Sequence, residues 1–285
     1  MSRLFVNQLA TLDLSLLDPS RGLLGQSWSV DVVLEGALDP QGMVLDFSEV
    51  KKRIKSIIDL HFDHRLVVPS AHPGCRLSQS NGCFDLVFEL KSGHTIRYQG
   101  PSEAIAIIDT QCATPREISA AIHTTLRPMF AENVRHIHLE LRTEDIPGAS
   151  YCYSHGLKRH QGNCQRIAHG HRSQIQIYRD GLRSPELEYQ WAGRWQDIFI
   201  ATRADLYREF QDHQIRYAHF RYTASQGQFD LVLPMDRCYL VDFDSTVENL
   251  AEYICGQLSR EYPESKFRVM AFEGIGKGAI GISAD

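Results

Sequence analysis

Two segments decide how this chain of 285 residues is read: QSWSVDVVLEG at 26–36 and HRSQIQIYRDG at 171–181. In the first, Trp28, Val30, Val32 and Leu34 share one parity. In the second, Ser173, Ile175 and Ile177 share one parity, with Gln174 and Gln176 opposite. Alternation of period two over this length predicts a half-buried strand, and each strand stops at a glycine turn. Equal length and equal ending in the two halves of one chain point to an internal duplication.

The rest of the chain extends the repeat outward. Phe84-Asp85-Leu86-Val87 and Phe229-Asp230-Leu231-Val232 each begin a β-rich stretch that leads into a capped helix. One helix starts at Thr114-Pro115 with Glu117 behind it, the other at Ser245 with Glu248 behind it, so each offers a Ser/Thr cap and a glutamate three residues on. Residues 46–58 form an amphipathic helix with Val50, Ile54, Ile57 and Ile58 on one face, and 205–210 is its weaker counterpart. The halves close on β-like runs at 134–141 and 266–272, the latter followed by the glycine-rich 274–281. Strands mixed with helices on one face predict an α+β fold in two units, 1–147 and 148–285, meeting near Pro147-Gly148. Residues 149–155 fit either the last strand of one unit or the first of the next.

Composition bounds the function. Hydrophobic residues are 43% and charged residues 23%, as in an ordinary globular protein. Thirty basic against 35 acidic side chains give a net charge of −5, so no global field holds nucleic acid or an anionic membrane. The longest apolar runs, such as 104–108, are far too short to span a bilayer, and Asp13 interrupts the N-terminus before a signal core could form. The seven cysteines are odd in number and lack a C-x-x-C pair, which predicts free thiols in the cytoplasm.

The densest chemistry is HGLKRHQGNCQRIAHGHR at 155–172. His169 and His171 lie two apart, so on a strand both imidazoles project from one face and can share a cation. His155 on a preceding strand would complete a three-histidine site with an open position, and His160 competes for that place. Lys158, Arg159, Arg166 and Arg172 bring four positive charges to a run without a carboxylate, a local cradle for an anion around Cys164.

Together these residues resemble the 6-pyruvoyl tetrahydropterin synthase / 6-carboxytetrahydropterin synthase family. The run 153–178, with Ser154-His155, Cys164 and His169-Gly170-His171, is similar to its zinc-binding region. Gly42-Met43-Val44-Leu45-Asp46-Phe47 followed by Asp63-His64-Arg65-Leu66 resembles a second family segment, and 245–251 its "PT-ENLA" helix start. Glu273 with Gly278-Ala279 resembles the final pterin-anchoring strands. The resemblance implies two tandem tunnelling-fold (T-fold) units, each an antiparallel four-stranded sheet with two helices on one face and short inserted strands.

It also implies roles. Zn2+ is held by His155, His169 and His171; Cys164 is the catalytic thiol, five residues before His169; Asp63 and His64 tune proton transfer; Glu273 holds the pterin edge, followed here by Gly274. Lys158, Arg159, Arg166 or Arg172 would receive a triphosphate. The implied reaction is that of a lyase converting 7,8-dihydroneopterin triphosphate to 6-carboxytetrahydropterin, on the route to a deazapurine tRNA base (queuosine), or alternatively to 6-pyruvoyl tetrahydropterin, in a homo-oligomer. A zinc-dependent aldolase acting on the unphosphorylated pterin and a catalytically inactive zinc-binding module are the rivals. The positions matching His-Gly-His in the first half are Leu24-Gly25-Gln26, and Asp63-His64 finds its counterpart in Ala218-His219. Each half lacks what the other carries, which predicts a composite site with zinc ligands, thiol and pterin anchor from a second half and Asp63-His64 from a first half, of the same or an adjacent chain.

Overall fold

The chain begins with a long antiparallel hairpin of β1 (Ser2–Asp18) and β2 (Gly22–Gly36), paired from Ser2↔Gly36 to Asp18↔Gly22. The computed structural model describes residues 1–130 and 132–283. Helix α1 (Phe47–His61) follows, capped by Asp46, whose carboxylate accepts from the Ser48 N–H at 2.7 Å. Its apolar stripe buries Val50, Ile54, Ile57 and Ile58, the face expected from the 3.6-residue period. Next come β3 (Leu66–Pro69), β4 (Cys75–Ser80), β5 (Cys83–Glu89), β6 (Thr95–Pro101), β7 (Ile105–Ile108), α2 (Pro115–Leu126) and β8 (Val134–Thr143).

The second half repeats this order. It runs β9 (Ser150–His155), β10 (His169–Arg179), β11 (Leu182–Arg183), α3 (Pro185–Trp195), β12 (Ile198–Thr202), β13 (Leu206–Asp212), β14 (Ile215–Ala224), β15 (Gly227–Pro234), β16 (Cys238–Val241), α4 (Val247–Glu261), β17 (Phe267–Phe272) and β18 (Gly278–Ile282). The α+β class and the duplicated plan of the sequence are both present. Residues 150–155 open the second half, so the antiparallel part of the first half stops at β8 while that of the second continues through β17 to β18.

Three details of the sequence reading change. Residues 206–212 form an edge strand on β14, and the helix of this half is Pro185–Trp195. Its signal is Ser184-Pro185 ahead of Leu187, Trp191 and Trp195, whose i/i+4 spacing buries all three. Thr246 caps α4, its hydroxyl accepting from the Asn249 N–H at 3.4 Å, because Ser245 is engaged elsewhere. The two Phe-Asp-Leu-Val stretches are not equivalent: 84–87 lies in the middle strand of its insert and 229–232 in the last of the other.

Two sheets have the orders β7-β3-β1-β2-β8 and β16-β12-β9-β10-β17-β18, and a third, β13-β14-β15-β6-β5-β4, is shared. In the shared sheet β15 pairs with β6 through Asp230↔Gln99, Leu231↔Tyr98 and Val232↔Arg97. Leu86, Phe88 and Tyr98 from one half pack with Phe220, Phe229 and Leu231 from the other in one core cluster. At roughly 1.5–3 kcal/mol for each large apolar side chain removed from water, this common core binds the halves into one folding unit. Among the described residues no helix is long and apolar enough to cross a membrane.

A local two-fold axis relates the halves. Ser15 pairs with Gly25, and Ser154 pairs with Gly170 in the matching register. The two serine hydroxyls meet across the axis at 2.7 Å. A Cβ on Gly25 would overlap the Tyr153 carbonyl, and one on Gly170 would stand 2.7 Å from Gly25 Cα, so only glycine permits this approach of the two hairpins.

Candidate metal and proton-transfer site

The equivalence of the hairpins places the chemistry. His155 pairs with His169 and Tyr153 with His171 across β9 and β10, which puts the three imidazoles on one patch of sheet. Ring centroids are 4.4 Å apart for His155 and His169, 5.4 Å for His155 and His171, and 5.7 Å for His169 and His171. One ligand atom from each lies within 4.8 Å of the others. His160 stands outside this group, in the loop, where its Nδ1 accepts from the Gly162 N–H at 2.9 Å.

Hydrogen bonds orient two of the three rings, while His171 is held by the charges around it. His155 Nδ1 donates toward the carbonyl and hydroxyl oxygens of Ser245, each at 3.0 Å, and His169 Nδ1 donates to the Arg166 carbonyl at 3.0 Å. His171 Nδ1 faces Asp13 Oδ1 at 3.3 Å. The Nε2 atoms of His155 and His169 and both ring nitrogens of His171 are left buried without a hydrogen-bond partner. An unpaired buried nitrogen is expensive, and three imidazoles that each bring a ligand atom within 4.8 Å of the others fit a divalent cation. Burial, reinforced by the neighbouring histidines, holds His155 and His169 well below the usual imidazole range, so both are neutral and free to ligate.

Cys164 arrives on the loop 156–168, within a short turn at Asn163–Gln165. That loop is braced rather than free: Tyr222 donates to the Gln165 carbonyl at 2.7 Å, and the Gln165 side-chain oxygen accepts from Ser225 Oγ at 3.0 Å and the Gln226 N–H at 2.7 Å. Asp63 and His64 come from the first half of the same chain, at the turn between α1 and β3. His64 sits at φ 53°, pinned by its N–H donating to the Asp13 carbonyl at 2.7 Å. Its Nδ1 lies 2.5 Å from Asp63 Oδ2, and its ring is 5.1 Å from that of His169. His64, Cys164 and His169 offer a second set of atoms within 4.8 Å. Burial acts to lower the His64 pKa, but hydrogen bonds to Asp63 and Cys164 outweigh it and raise it to about 10.

The counterpart of Asp63-His64 is Gln196-Asp197, not Ala218-His219. Ser15↔Leu66 and Ser154↔Phe199 are matching pairs, and Asp197 repeats both the left-handed backbone, at φ 57°, and the N–H bond, here to the Cys152 carbonyl at 2.8 Å. His219 lies on β14, bonded to Asp230 at 2.6 Å.

The basic residues do not gather as one cradle. Lys158 is paired with Asp205, and Arg159, 78% exposed, stands 3.4 Å from Asp244. Arg166 is buried: it donates to Gln226 at 3.0 Å and reaches the carbonyls of Asp63 and His64, each at 3.4 Å. Arg172 donates to the Glu144 carbonyl at 2.9 Å. Glu273 stands at the rim, its Oε1 3.8 Å from His171 Nε2.

Sequence reasoning passed over Asp13, Ser27, Tyr153 and Lys277. Asp13 is 3% exposed, accepts from Ser27 Oγ, and lies 3.2 Å from Lys277 Nζ. Burial would push its carboxyl up, yet His171, Lys277 and Ser27 hold it well below the usual carboxylate range. Its signal was a lone acid inside the apolar run LATLDLSLL, since carboxylates are almost never buried unpaired. Tyr153 carries a buried hydroxyl without a partner, its ring 5.1 Å from His155 and 5.5 Å from His171.

No curated protein matches the chain. Among solved structures, 6-pyruvoyl tetrahydropterin synthase of Plasmodium falciparum is similar at 15% identity and a TM-score of 0.40, covering 48% of this chain and 88% of its own. The Plasmodium vivax enzyme is similar at 18% identity and a TM-score of 0.38, covering 50% and 98%. The family model of 6-pyruvoyl tetrahydropterin synthase matches residues 15–146 and again 146–279. Matched twice over nearly its whole length, the chain belongs to the 6-pyruvoyl tetrahydropterin synthase family as a tandem two-domain member.

Proposed function

We propose that the chain is a zinc-dependent lyase acting on a dihydropterin triphosphate, with 6-carboxytetrahydropterin as product and 6-pyruvoyl tetrahydropterin as the alternative. One observation carries this reading: three orphaned imidazole nitrogens of the second half stand beside an Asp63–His64–Cys164 chain whose first two members come from the other half of the same chain. Zinc held by His155, His169 and His171 would supply a Lewis acid for the oxygens of the pterin side chain.

The chain's own residues do the rest. Cys164 Sγ takes the proton from carbon, and His64, kept charged by Asp63, stands at its side to return one. Arg166 bonds the carbonyls of Asp63 and His64 and so fixes the couple against the loop that carries the thiol. Glu273, at the rim 3.8 Å from His171 Nε2, would accept from the pterin amino-pyrimidine edge. His155, His169 and His171 are buried, which keeps bulk water from the place where a metal ion would sit. Outer strands β8 and β18 are edges within the chain, with Ile280 53% and Ile282 72% exposed, which supports a homo-oligomer closed by strand pairing. The cysteines are free, which supports a cytoplasmic location.

A second reading rests on the basic residues, each already engaged with a partner of its own. It makes the substrate the unphosphorylated dihydroneopterin and the reaction an aldol cleavage. One experiment separates these readings: chelated and zinc-reloaded protein is given each substrate, with triphosphate release and product mass as readouts. Zinc-dependent triphosphate release is expected. Turnover of the unphosphorylated compound alone selects the aldolase, and turnover of neither overturns the enzymatic reading in favour of an inactive zinc-binding module.

A further inference from the structure

We infer that Asp13, contributed by the half that holds no metal ligand, is the positioning residue that joins the metal site to the proton-transfer couple. This rests on the metal reading above. Its side chain serves the ligand: Oδ1 faces His171 Nδ1 at 3.3 Å, Ser27 Oγ donates to the same oxygen, and Lys277 Nζ stands 3.2 Å from Oδ2. Its main chain serves the couple: the Asp13 N–H donates to Asp63 Oδ1 at 3.0 Å, and the Asp13 carbonyl accepts from the His64 N–H at 2.7 Å. One residue of β1 therefore sets the orientation of a ligand imidazole and the position of the neighbouring acid and imidazole together.

The chemistry of the ligands explains why a carboxylate is needed here. The other two imidazoles are oriented by neutral oxygens, those of Ser245 and of the Arg166 main chain. A carboxylate 3.3 Å from the remaining nitrogen favours the tautomer that points its N–H that way, would make His171 a stronger donor to a cation, and would offset part of the dication's charge in a buried place. The residue at the same position in the second hairpin is Cys152, whose carbonyl likewise accepts from Asp197. The main-chain half of the arrangement is thus common to both hairpins, and the carboxylate is the addition made on the side that carries histidines.

The test uses the full chain. Asp13→Asn keeps size and main-chain bonds and removes the charge. Zinc affinity, measured by competition with a chelating dye, should weaken about 10–100-fold. The visible spectrum of the cobalt-substituted protein should shift. The alkylation rate of Cys164 in metal-free protein, mapped by mass, should stay within twofold, because the main-chain bonds to Asp63 and His64 persist. A purely structural role would lower the melting temperature and leave the cobalt spectrum alone. If Asp13→Asn does not fold, Ser27→Ala takes its place, with a smaller affinity loss and the same spectral shift expected. Zinc affinity and cobalt spectrum both equal to wild type in a folded variant overturn the inference; wild-type protein that binds no zinc overturns the metal reading beneath it.

Discussion

Where the second half sets His155, His169 and His171, the first half sets Leu16, Leu24 and Gln26 in the same register, Leu16 pairing with Leu24 as His155 pairs with His169. Where Cys164 meets His64, Arg21 meets Asp197 in a two-point ion pair at 2.6 and 2.8 Å. The loop 156–168 has for its counterpart only the turn Pro19–Arg21, and Ser245 on His155 has for its counterpart Ala113, buried in the core of the first half. The two sides differ in chemistry but share their main-chain frame. Duplication lets this happen: once both halves are in one chain, a substitution changes one side of the axis without changing the other. On the function proposed above, one side carries the reaction, while the other holds packing and an ion pair.

The widest contrast is in metal binding. Zinc content should be one per chain, and His169→Ala should bring it close to zero and cut turnover by about 10⁴-fold. Leu24→Ala, its mate, should leave metal content unchanged and cost about 2–4 kcal/mol in stability through the cavity it opens. Metal analysis of both variants checks this, and a stoichiometry of two would break the comparison outright.

Next in size is the proton-transfer couple against its mate. Cys164→Ser or Asp63→Asn should lower kcat by about 10²–10³-fold with metal content intact. Asp197→Asn removes the charge that Arg21 meets, and should leave kcat within twofold while lowering the melting temperature by a few degrees. Single-turnover kinetics on zinc-loaded protein separates these outcomes, and a kcat loss in Asp197→Asn as large as that in Asp63→Asn would show that the mate side is not silent.

How much of this was legible from sequence follows the same divide. The strands at 26–36 and 171–181 and the helix after Asp46 were plain because each buries one face of a regular period. The three histidines were legible because two sit on one strand at a spacing that has one geometric meaning. The helix 185–195 was missed, since its apolar positions include two tryptophans and its polar ones a buried Glu188, which blurs the stripe. Ala218-His219 reads as an Asp-His pair that has lost its carboxylate, whereas the true mate, Gln196-Asp197, aligns no acid or imidazole with Asp63-His64 and is identified only by φ and register. Asp13 could be seen as anomalous but not placed: its partners His171 and Lys277 come from the other half, and only the folded hairpins bring them together.

At the axis itself the sides should respond alike. Gly25→Ala drives a methyl group into the Tyr153 carbonyl, and Gly170→Ala drives one toward the same oxygen and Gly25 Cα, backbone in both cases. Each should destabilise by about 1–3 kcal/mol, read as a drop of several degrees in melting temperature. Equal losses would support a contact shared by both hairpins. A loss confined to Gly170→Ala would mean that the histidine side alone depends on the approach.

The smallest effect belongs to the seam of the shared sheet, where the sides differ again. Asp230 accepts from His219 at 2.6 Å, from Arg221 at 2.6 Å and from Gln228 at 2.9 Å, and across the seam it pairs with Gln99. The position equivalent to Asp230 in the first half is Arg97, so nothing there repeats the cluster. Burial would raise the Asp230 pKa, but the bonds from Gln228, Arg221 and His219 carry it below its ordinary 3.8. A carboxylate depressed in the folded state contributes stability that is complete above its unfolded pKa and is lost as pH falls through the folded one. Asp230→Asn should therefore cost about 1–2 kcal/mol at neutral pH, as expected for weakened charge-assisted hydrogen bonds. The gap between wild type and variant should close as the pH drops below 3.8, the ordinary value for this side chain. Denaturant titrations at pH 7, 5 and about 3 measure that gap directly; a difference that persists undiminished at the lowest pH would assign the loss to packing of the side chain and not to its charge.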